Sequence, residues 1–346
     1  MQRPPSQLEV ARSCGVSQKT VSLALNNDPR ISAGTRAKIN AAAKRLGYQP
    51  NPLLTALMTN IRRRSVRYRA TIGVLICQSP TLFRQAPNLG RSLRGIYQRA
   101  RQLGYSIEEF WVNRDGINPD RFHKTTYARN INGLIIMTPH DYFDFGLDWS
   151  RFATAGIGCA SRYPVPIHNA FTQSFRLVRS AWKRLQSLGF RRIGLAASHY
   201  QNTFLDESLA GPYYAQQSLS PPADRVPILL EETCTPASLV KWYRRHRPEV
   251  ILCHSSAALD WLRNESIRVP EDVSLVHLAW YPKLKGWAGI DRLNETIGAM
   301  ALDLVVEQLN ANERGIPSNS KMVLASDRWV DGATLKQNSA LNLNRT

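Results

Sequence analysis

Within one short run the chain places Ser17, Gln18, Lys19, Thr20, Ser22 and Leu23. An amide, an ammonium and three hydroxyls suit phosphate oxygens and the edges of bases in a major groove, and an aliphatic side chain suits a thymine methyl. At helical spacing Val16, Val21 and Ala24 turn inward, which leaves the polar set and Leu23 facing outward. That chemistry is recognition, not bond breaking.

Catalytic groupings are weaker. His168, His199 and His254 can be combined with Ser198 or Ser255 into a triad. The sequence has no nucleophile elbow, no metal-ligand spacing, no GxGxxG and no P-loop, so no catalysis, no cofactor and no metal are expected. The five cysteines, Cys14, Cys77, Cys159, Cys234 and Cys253, are odd in number and form no CxxC pair. Buried thiols in a reducing compartment are the expectation.

The recognition residues need elements to hold them. Residues 6–13 predict a first helix, and Gly15 a sharp turn that requires positive φ. Ser17 is an N-cap for a second helix over 18–25, which stops near Asn26-Asn27-Asp28-Pro29. Ala11, Gly15 and Val21 stand where a helix-turn-helix needs a small contact residue, a turn glycine and an aliphatic anchor. Ser32 caps a third helix over 33–46, closed by Gly47, whose face Ile39, Ala42, Ala43 and Leu46 completes a three-helix core. Asn51 and Pro52 then open a short helix that includes Leu53, Leu54, Thr55, Ala56 and Leu57. A helix of this length is marginal alone and orders when paired or bound. Arg62, Arg63, Arg64, Arg67 and Arg69 follow as a basic linker.

Charge supports this division. The formal net charge is +19, from 45 Lys and Arg against 26 Asp and Glu. Residues 1–69 hold 13 basic and 2 acidic side chains, a net of +11, and residues 70–346 hold 32 and 24, a net of +8. An anionic partner, steep salt dependence and a basic N-terminal segment are implied. Hydrophobic content of 43% excludes a mainly disordered chain. No apolar run approaches the roughly 20 residues of a membrane span. The start MQRPPSQLEV has no apolar leader, so no signal peptide, no membrane partner and a cytoplasmic location are expected.

From Ala70 onward, strands alternate with helices. Strands are expected over 71–77, 106–111, 133–137 and 155–160, and helices over 89–104, 120–130, 171–189 and 236–246, the last followed by the strand VILC. This alternation means α/β architecture with parallel sheets, and ligands bind outside the carboxyl ends of the strands.

The stretch QLEVARSCGVSQKTVSLALNNDPRISAGTRAKINAAAKRLGYQPNPL resembles the headpiece of the lactose-repressor/galactose-repressor (LacI/GalR) family of transcription regulators. The likeness continues more weakly through LGFRRIGLA, RVPEDVSLV and GIDR…IG…ALDLVVEQL, over about residues 6–335. It implies an α/β protein with a three-helix helix-turn-helix headpiece (1–50) and a hinge helix and linker (51–69). A two-lobed, periplasmic-binding-protein-like core with parallel sheets follows (70–346), its lobes roughly 70–161 plus 290–320 and 162–289 plus 321–346. The candidate DNA contacts are Ser17, Gln18, Lys19, Thr20, Ser22, Leu23, Asn26, Thr35, Arg36, Leu54, Thr55, Ala56 and Leu57. Base reading falls to Gln18, Lys19 and Leu23, the last often Arg in the family. Leu57 matches the leucine wedge that kinks the minor groove, with Thr55 and Ala56 on the groove floor. Gln7 stands where an aliphatic is usual, and Leu8 is the expected substitute.

The cleft departs from the family pattern. His168-Asn169 stand for the usual Asp-Asn, Ser208 for an Arg, Ser255-Ser256 for Asn-Asp, and Ala279 for an Asp that grips sugar hydroxyls. The candidate effector contacts are Phe83, Arg84, His140, Asp141, Arg162, His168, His199, Ser208, Ser255, Ser256 and Trp280. Tyr142, Tyr200, His254 and Tyr281 are further ring-bearing residues at strand ends. An effector other than a standard neutral hexose, or loss of effector control, is expected.

The expected function is a homodimeric repressor of a catabolic operon that binds a palindromic double-stranded DNA operator. A sugar or sugar-like molecule in the cleft would modulate its affinity. The tail QNSALNLNRT has no leucine heptad for tetramerisation. Alternatives are an effector-independent or corepressor-dependent regulator with a degenerate cleft, and a solute-binding protein. The last would need a signal peptide and no helix-turn-helix.

Overall fold

The computed structural model describes residues 7–25, 30–46, 70–111, 119–137, 146–159 and 163–337. The chain divides into two units, Met1–Arg67 and Tyr68–Thr346.

In the first unit α1 (Gln7–Cys14), α2 (Gln18–Leu25) and α3 (Ala33–Leu46) enclose a small core. Val10, Ala11, Cys14, Val21, Ala24, Ile39, Ala42 and Ala43 are buried in it, with Val16, Leu25 and Ile31 against its edge. Two expectations fail. Leu8 is 44% exposed, so it does not replace the missing aliphatic, and Leu46 is 38% exposed. Leu8 lies two residues before Val10, about 200° around the helix from that buried position. Leu46 ends α3, past the turn where Ala42 and Ala43 meet α1 and α2.

The second unit contains two six-stranded sheets. Lobe 1 is built on β1 (Thr71–Ile76), β2 (Ser106–Trp111), β3 (Gly133–Met137), β4 (Ala153–Ile157), β5 (His168–Thr172) and a late strand, β11 (Met322–Ala325). Its order is β11-β5-β4-β3-β1-β2, all parallel. The helices α4 (Pro80–Gln85), α5 (Pro87–Leu103) and α6 (Pro119–Ala128) join its strands.

Lobe 2 holds α7 (Ser174–Ser187), β6 (Ile193–Ser198), α8 (His199–Phe204), α9 (Ala210–Leu219) and β7 (Leu229–Glu231). It continues with α10 (Pro236–His246), β8 (Val250–Cys253), α11 (Ala257–Asn264), β9 (Ser274–His277) and β10 (Ala288–Asp291). The chain then returns to lobe 1 through α12 (Asn294–Ala311) and closes lobe 2 with β12 (Arg328–Val330), antiparallel to β10. The strand order is β12-β10-β9-β8-β6-β7.

Two assignments differ from those expected. Residues 168–172 and 322–325 belong to lobe 1, not lobe 2, and Phe171 and Thr172 lie in β5 rather than in a long helix. Burial explains both: Asn169, Ala170 and Thr172 are shielded between β4 and β11, and the helix begins only after Gln173.

Helices α5 and α12 meet on lobe 1 almost backbone to backbone. A Cβ on Gly95 would stand 1.9 Å from the Glu295 carbonyl oxygen, and one on Gly298 2.0 Å from that of Ser92. This close approach lets Ile297, Ala301, Leu302, Leu304, Val305 and Val306 of α12 join Ile72, Val74 and Ile135 in the lobe 1 core. Gln308 then fastens α12 to β4, accepting from Thr154 N (3.1 Å) and donating to Thr154 O (3.0 Å).

Candidate nucleic-acid interface and effector cleft

The first unit presents α2 as an amphipathic element. Ser17 caps it, accepting from Thr20 N at 3.1 Å, while its hydroxyl also meets that of Thr20 at 2.8 Å. Val21 and Ala24 are fully buried, which fixes the opposite face outward. Ser17, Gln18 and Lys19 are exposed, and Thr20, Ser22 and Leu23 are half-buried. The turn before it follows from Gly15 at φ 68°, where Val16 N donates to Ala11 O at 3.1 Å. Ser32 caps α3 by accepting from Thr35 N at 3.3 Å, so Thr35 is engaged in the cap. Arg36 bends back to donate to Ile31 O at 3.1 Å. Asn26, Leu54, Thr55, Ala56 and Leu57 lie outside the described residues.

In the second unit the carboxyl edges of both sheets carry most of the expected effector contacts. His140, Asp141, Tyr142 and Arg162 lie outside the described residues. Phe83, on α4 beyond the end of β1, packs edge-on against Trp111 with centroids 5.3 Å apart. Arg84 is exposed and reaches Thr81. His199 opens α8 beyond the end of β6 and is exposed. Ser208 donates to Asp206 O in the following turn. Ser256 is exposed at the start of α11. Trp280 follows β9 but donates its indole N–H to Leu284 O at 3.2 Å, so that donor is already used. Ser255 lines a cavity of about 310 Å³ over the ends of β6, β7 and β8, with Ser198, Gln201, Glu232, Cys234 and Trp261.

His168 is elsewhere. It begins β5, pairs in register with Ala155 in the middle of β4, and is buried, accepting from Lys321 N at 2.9 Å. Burial, and then Lys321, hold its pKa below the usual range. Its expected effector contact is corrected: a residue at the amino end of a strand faces away from the carboxyl-edge cleft.

Sequence reasoning passed over two residues at that edge. His277 ends β9, and Arg292 immediately follows β10. His254, which follows β8, accepts from Arg292 Nη2 at 3.2 Å, and its ring lies 6.1 Å from that of His277. The available signal was a guanidinium directly after an apolar strand, in AGIDR. Beside this cluster an ion-pair network joins the lobes. Arg91 of α5 meets Asp291 at 2.9 Å and Glu295 at 2.7 Å, and donates to Trp280 O. Asn88 donates to Ala279 O across the same junction.

All five cysteines are free, and Cys234 alone among them is not fully buried. Among the described residues no group of three His, Cys, Asp or Glu could hold a metal, and no helix is long and apolar enough to cross a membrane.

The chain thus carries a helix-turn-helix unit and a two-lobed α/β core. Residues 8–51 match the model of the bacterial regulatory proteins, lacI family. Residues 8–51 therefore carry a lacI-family domain, and the chain as a whole is similar in fold to LacI-family proteins. The lactose operon repressor of Escherichia coli (strain K12) is 27% identical over 227 residues, 64% of this chain and 60% of that repressor's length. The transcriptional repressor PurR of Vibrio parahaemolyticus serotype O3:K6 is 24% identical over 328 residues, 88% of this chain and 92% of its own. The structure of the lac repressor dimer bound to operator and the anti-inducer ONPF superposes with a TM-score of 0.57 at 21% identity. That match covers 96% of this chain and 100% of the other.

Proposed function

We propose that this protein is a cytoplasmic, non-enzymatic transcription regulator that binds a palindromic operator as a homodimer and represses a catabolic operon. A small molecule between the lobes of the core sets its operator affinity. The observation that carries this is α2: a capped helix whose buried Val21 and Ala24 turn Gln18, Lys19, Ser22 and Leu23 outward. Such a helix fits a major groove, where Gln and Lys read base edges. The lac repressor and PurR, similar over 60% and 92% of their own lengths, are repressors by name, which supports the same role. A solute-binding protein would have no use for the first unit.

Linkage fixes the mechanism. An effector that prefers the core state incompatible with DNA weakens operator binding by the same coupling free energy with which DNA weakens the effector. The test is selection of bound sequences from random DNA. Gln18→Ala and Lys19→Ala are expected each to change base preference at one half-site position. The same motif from wild type and both variants would refute the base-reading role.

A further inference from the structure

The lobe 2 sheet ends in a cluster that the sugar-sensing pattern does not require. Arg292 is 9% exposed. Its Nε donates to Leu278 O at 2.9 Å and its Nη2 faces His254 Nε2 at 3.2 Å. Among the described residues no carboxylate pairs with it, and no hydrogen bond engages Nη1. The neighbouring carboxylate, Asp291, is already held by Arg91, Arg328 and Leu293 N. A buried guanidinium that no described carboxylate compensates is costly, which at this edge favours an anion as its partner.

The surrounding groups agree. A guanidinium donates only, so His254 accepts through Nε2 and is the neutral Nδ1–H tautomer. His277 accepts from Ala279 N at Nδ1, 3.1 Å, which leaves its Nε2–H as a donor. Neither imidazole therefore supplies negative charge. Cys159, two residues beyond β4 on lobe 1, lies close enough to interact electrostatically with Arg292. The cluster thus stands where the carboxyl edges of the two lobes meet. Burial lowers the Arg292 guanidinium to about 10, and burial followed by the Arg292 charge lowers His277 to about 4.

We infer that the cleft binds an anionic effector, a small molecule whose carboxylate or phosphoryl group is held by Arg292 with His254 behind it. This inference rests on the core being an effector-responsive unit. Nη1, which no described hydrogen bond engages, and the second N–H of Nη2 together match the two oxygens of such a group.

The test uses the full chain, with its unfolding temperature followed at constant ionic strength. The probes are malonate, inorganic phosphate and, as the neutral control, glucose; the variants are Arg292→Met and Arg292→Lys. Malonate or phosphate is expected to raise the wild-type temperature, to act on Arg292→Met with at least about tenfold weaker apparent affinity, and to fall between for Arg292→Lys. A larger response to malonate identifies a carboxylic acid, and a larger response to phosphate a phosphate ester. Without added oxyanion, Arg292→Met is expected to melt no lower than wild type, because it removes a stranded charge. A fall of several degrees there shows an internal counter-ion and overturns the inference. So does any result in which wild type gains no more than Arg292→Met from either anion.

DNA recovered by selection separates the two layers. If the anion binds but leaves DNA affinity unchanged, the site stands and the regulatory role falls. If glucose shifts DNA affinity equally in wild type and Arg292→Met, the regulatory role stands and the anion site falls.

Discussion

Arg91 and Asp291 offer the most demanding test of how the lobes are joined. Arg91 is 6% exposed and Asp291 1%. Among the described residues Asp291 has one other charged partner, Arg328, whose side chain is 65% exposed and therefore screened. Arg91 also holds Glu295 and the Trp280 carbonyl. Removing one side is thus unlike removing the other. In Arg91→Met the Asp291 carboxylate keeps the Leu293 N–H and an exposed guanidinium, so the cost should lie near about 4 kcal/mol, within the range for a broken buried pair. In Asp291→Asn the guanidinium keeps Glu295, and about 2 kcal/mol is expected. At about 2–4 °C per kcal/mol for a domain approaching this size, the melting temperature falls by roughly 8–16 °C and 4–8 °C. The double variant should cost less than the sum by about 1–2 kcal/mol, since the partners touch.

Acid provides the second arm. Burial pushes the Asp291 carboxyl up, but the hydrogen bond from Arg91 and that from Leu293 N more than offset it, and its pKa is lowered. Glu295 is likewise lowered: burial raises it, and Arg91 outweighs that. A depressed carboxyl contributes stability above its unfolded pKa and loses it as pH falls toward the folded value. The wild-type core should therefore lose stability below about pH 4, and this loss should shrink in Arg91→Met. Calorimetry across pH measures both arms. Two single variants that each cost under about 1 kcal/mol, sum exactly in the double and keep the wild-type acid slope would refute the buried-network argument.

Other outcomes follow from the close helix crossing and the hinge. Gly298→Ala puts a methyl 2.0 Å from Ser92 O, so α5 and α12 must separate by about an ångström, and urea titration should show a loss of at least about 1–3 kcal/mol. Gly90→Ala, where a Cβ meets nothing within 4 Å, should be neutral or mildly stabilising in the same titration. Leu57→Ala should weaken selected DNA far more than random DNA if Leu57 is the wedge that the family resemblance implies, since the charges are kept. Equal loss on both, measured at matched salt, would refute the hinge role.

What could be seen in the sequence was what the chain encodes locally. Ser17 and Ser32 mark the starts of α2 and α3 because a cap acts three residues ahead. Gly15 marks the turn through its φ. The apolar strand Gly133–Met137 and the mixed strand Ser106–Trp111 fall where the alternation puts them. The errors came from pairing across distance. HNAFT is too mixed to declare itself a strand, and it is one because β4 and β11 flank it, the latter from about 150 residues later. His168 resembled a cleft residue by position in the chain and lost that role to strand direction. Arg292 went unnoticed because its importance depends on His254 and Cys159 lying nearby, which spacing does not reveal.

Neither lobe is a continuous piece of chain. Lobe 1 takes its first five strands before residue 173 but waits for α12 and β11, beyond residue 293, to cover Ile72, Val74 and Ile135. On a ribosome at about 5–20 residues per second, those strands emerge several seconds before their covering helix. Throughout that interval an apolar, unfinished parallel sheet stands exposed while the whole of lobe 2's sheet apart from β12 is still being made. Expression yield of this protein should therefore depend on chaperone supply and synthesis rate. The three-helix unit at the N-terminus, complete by residue 46, has no such wait.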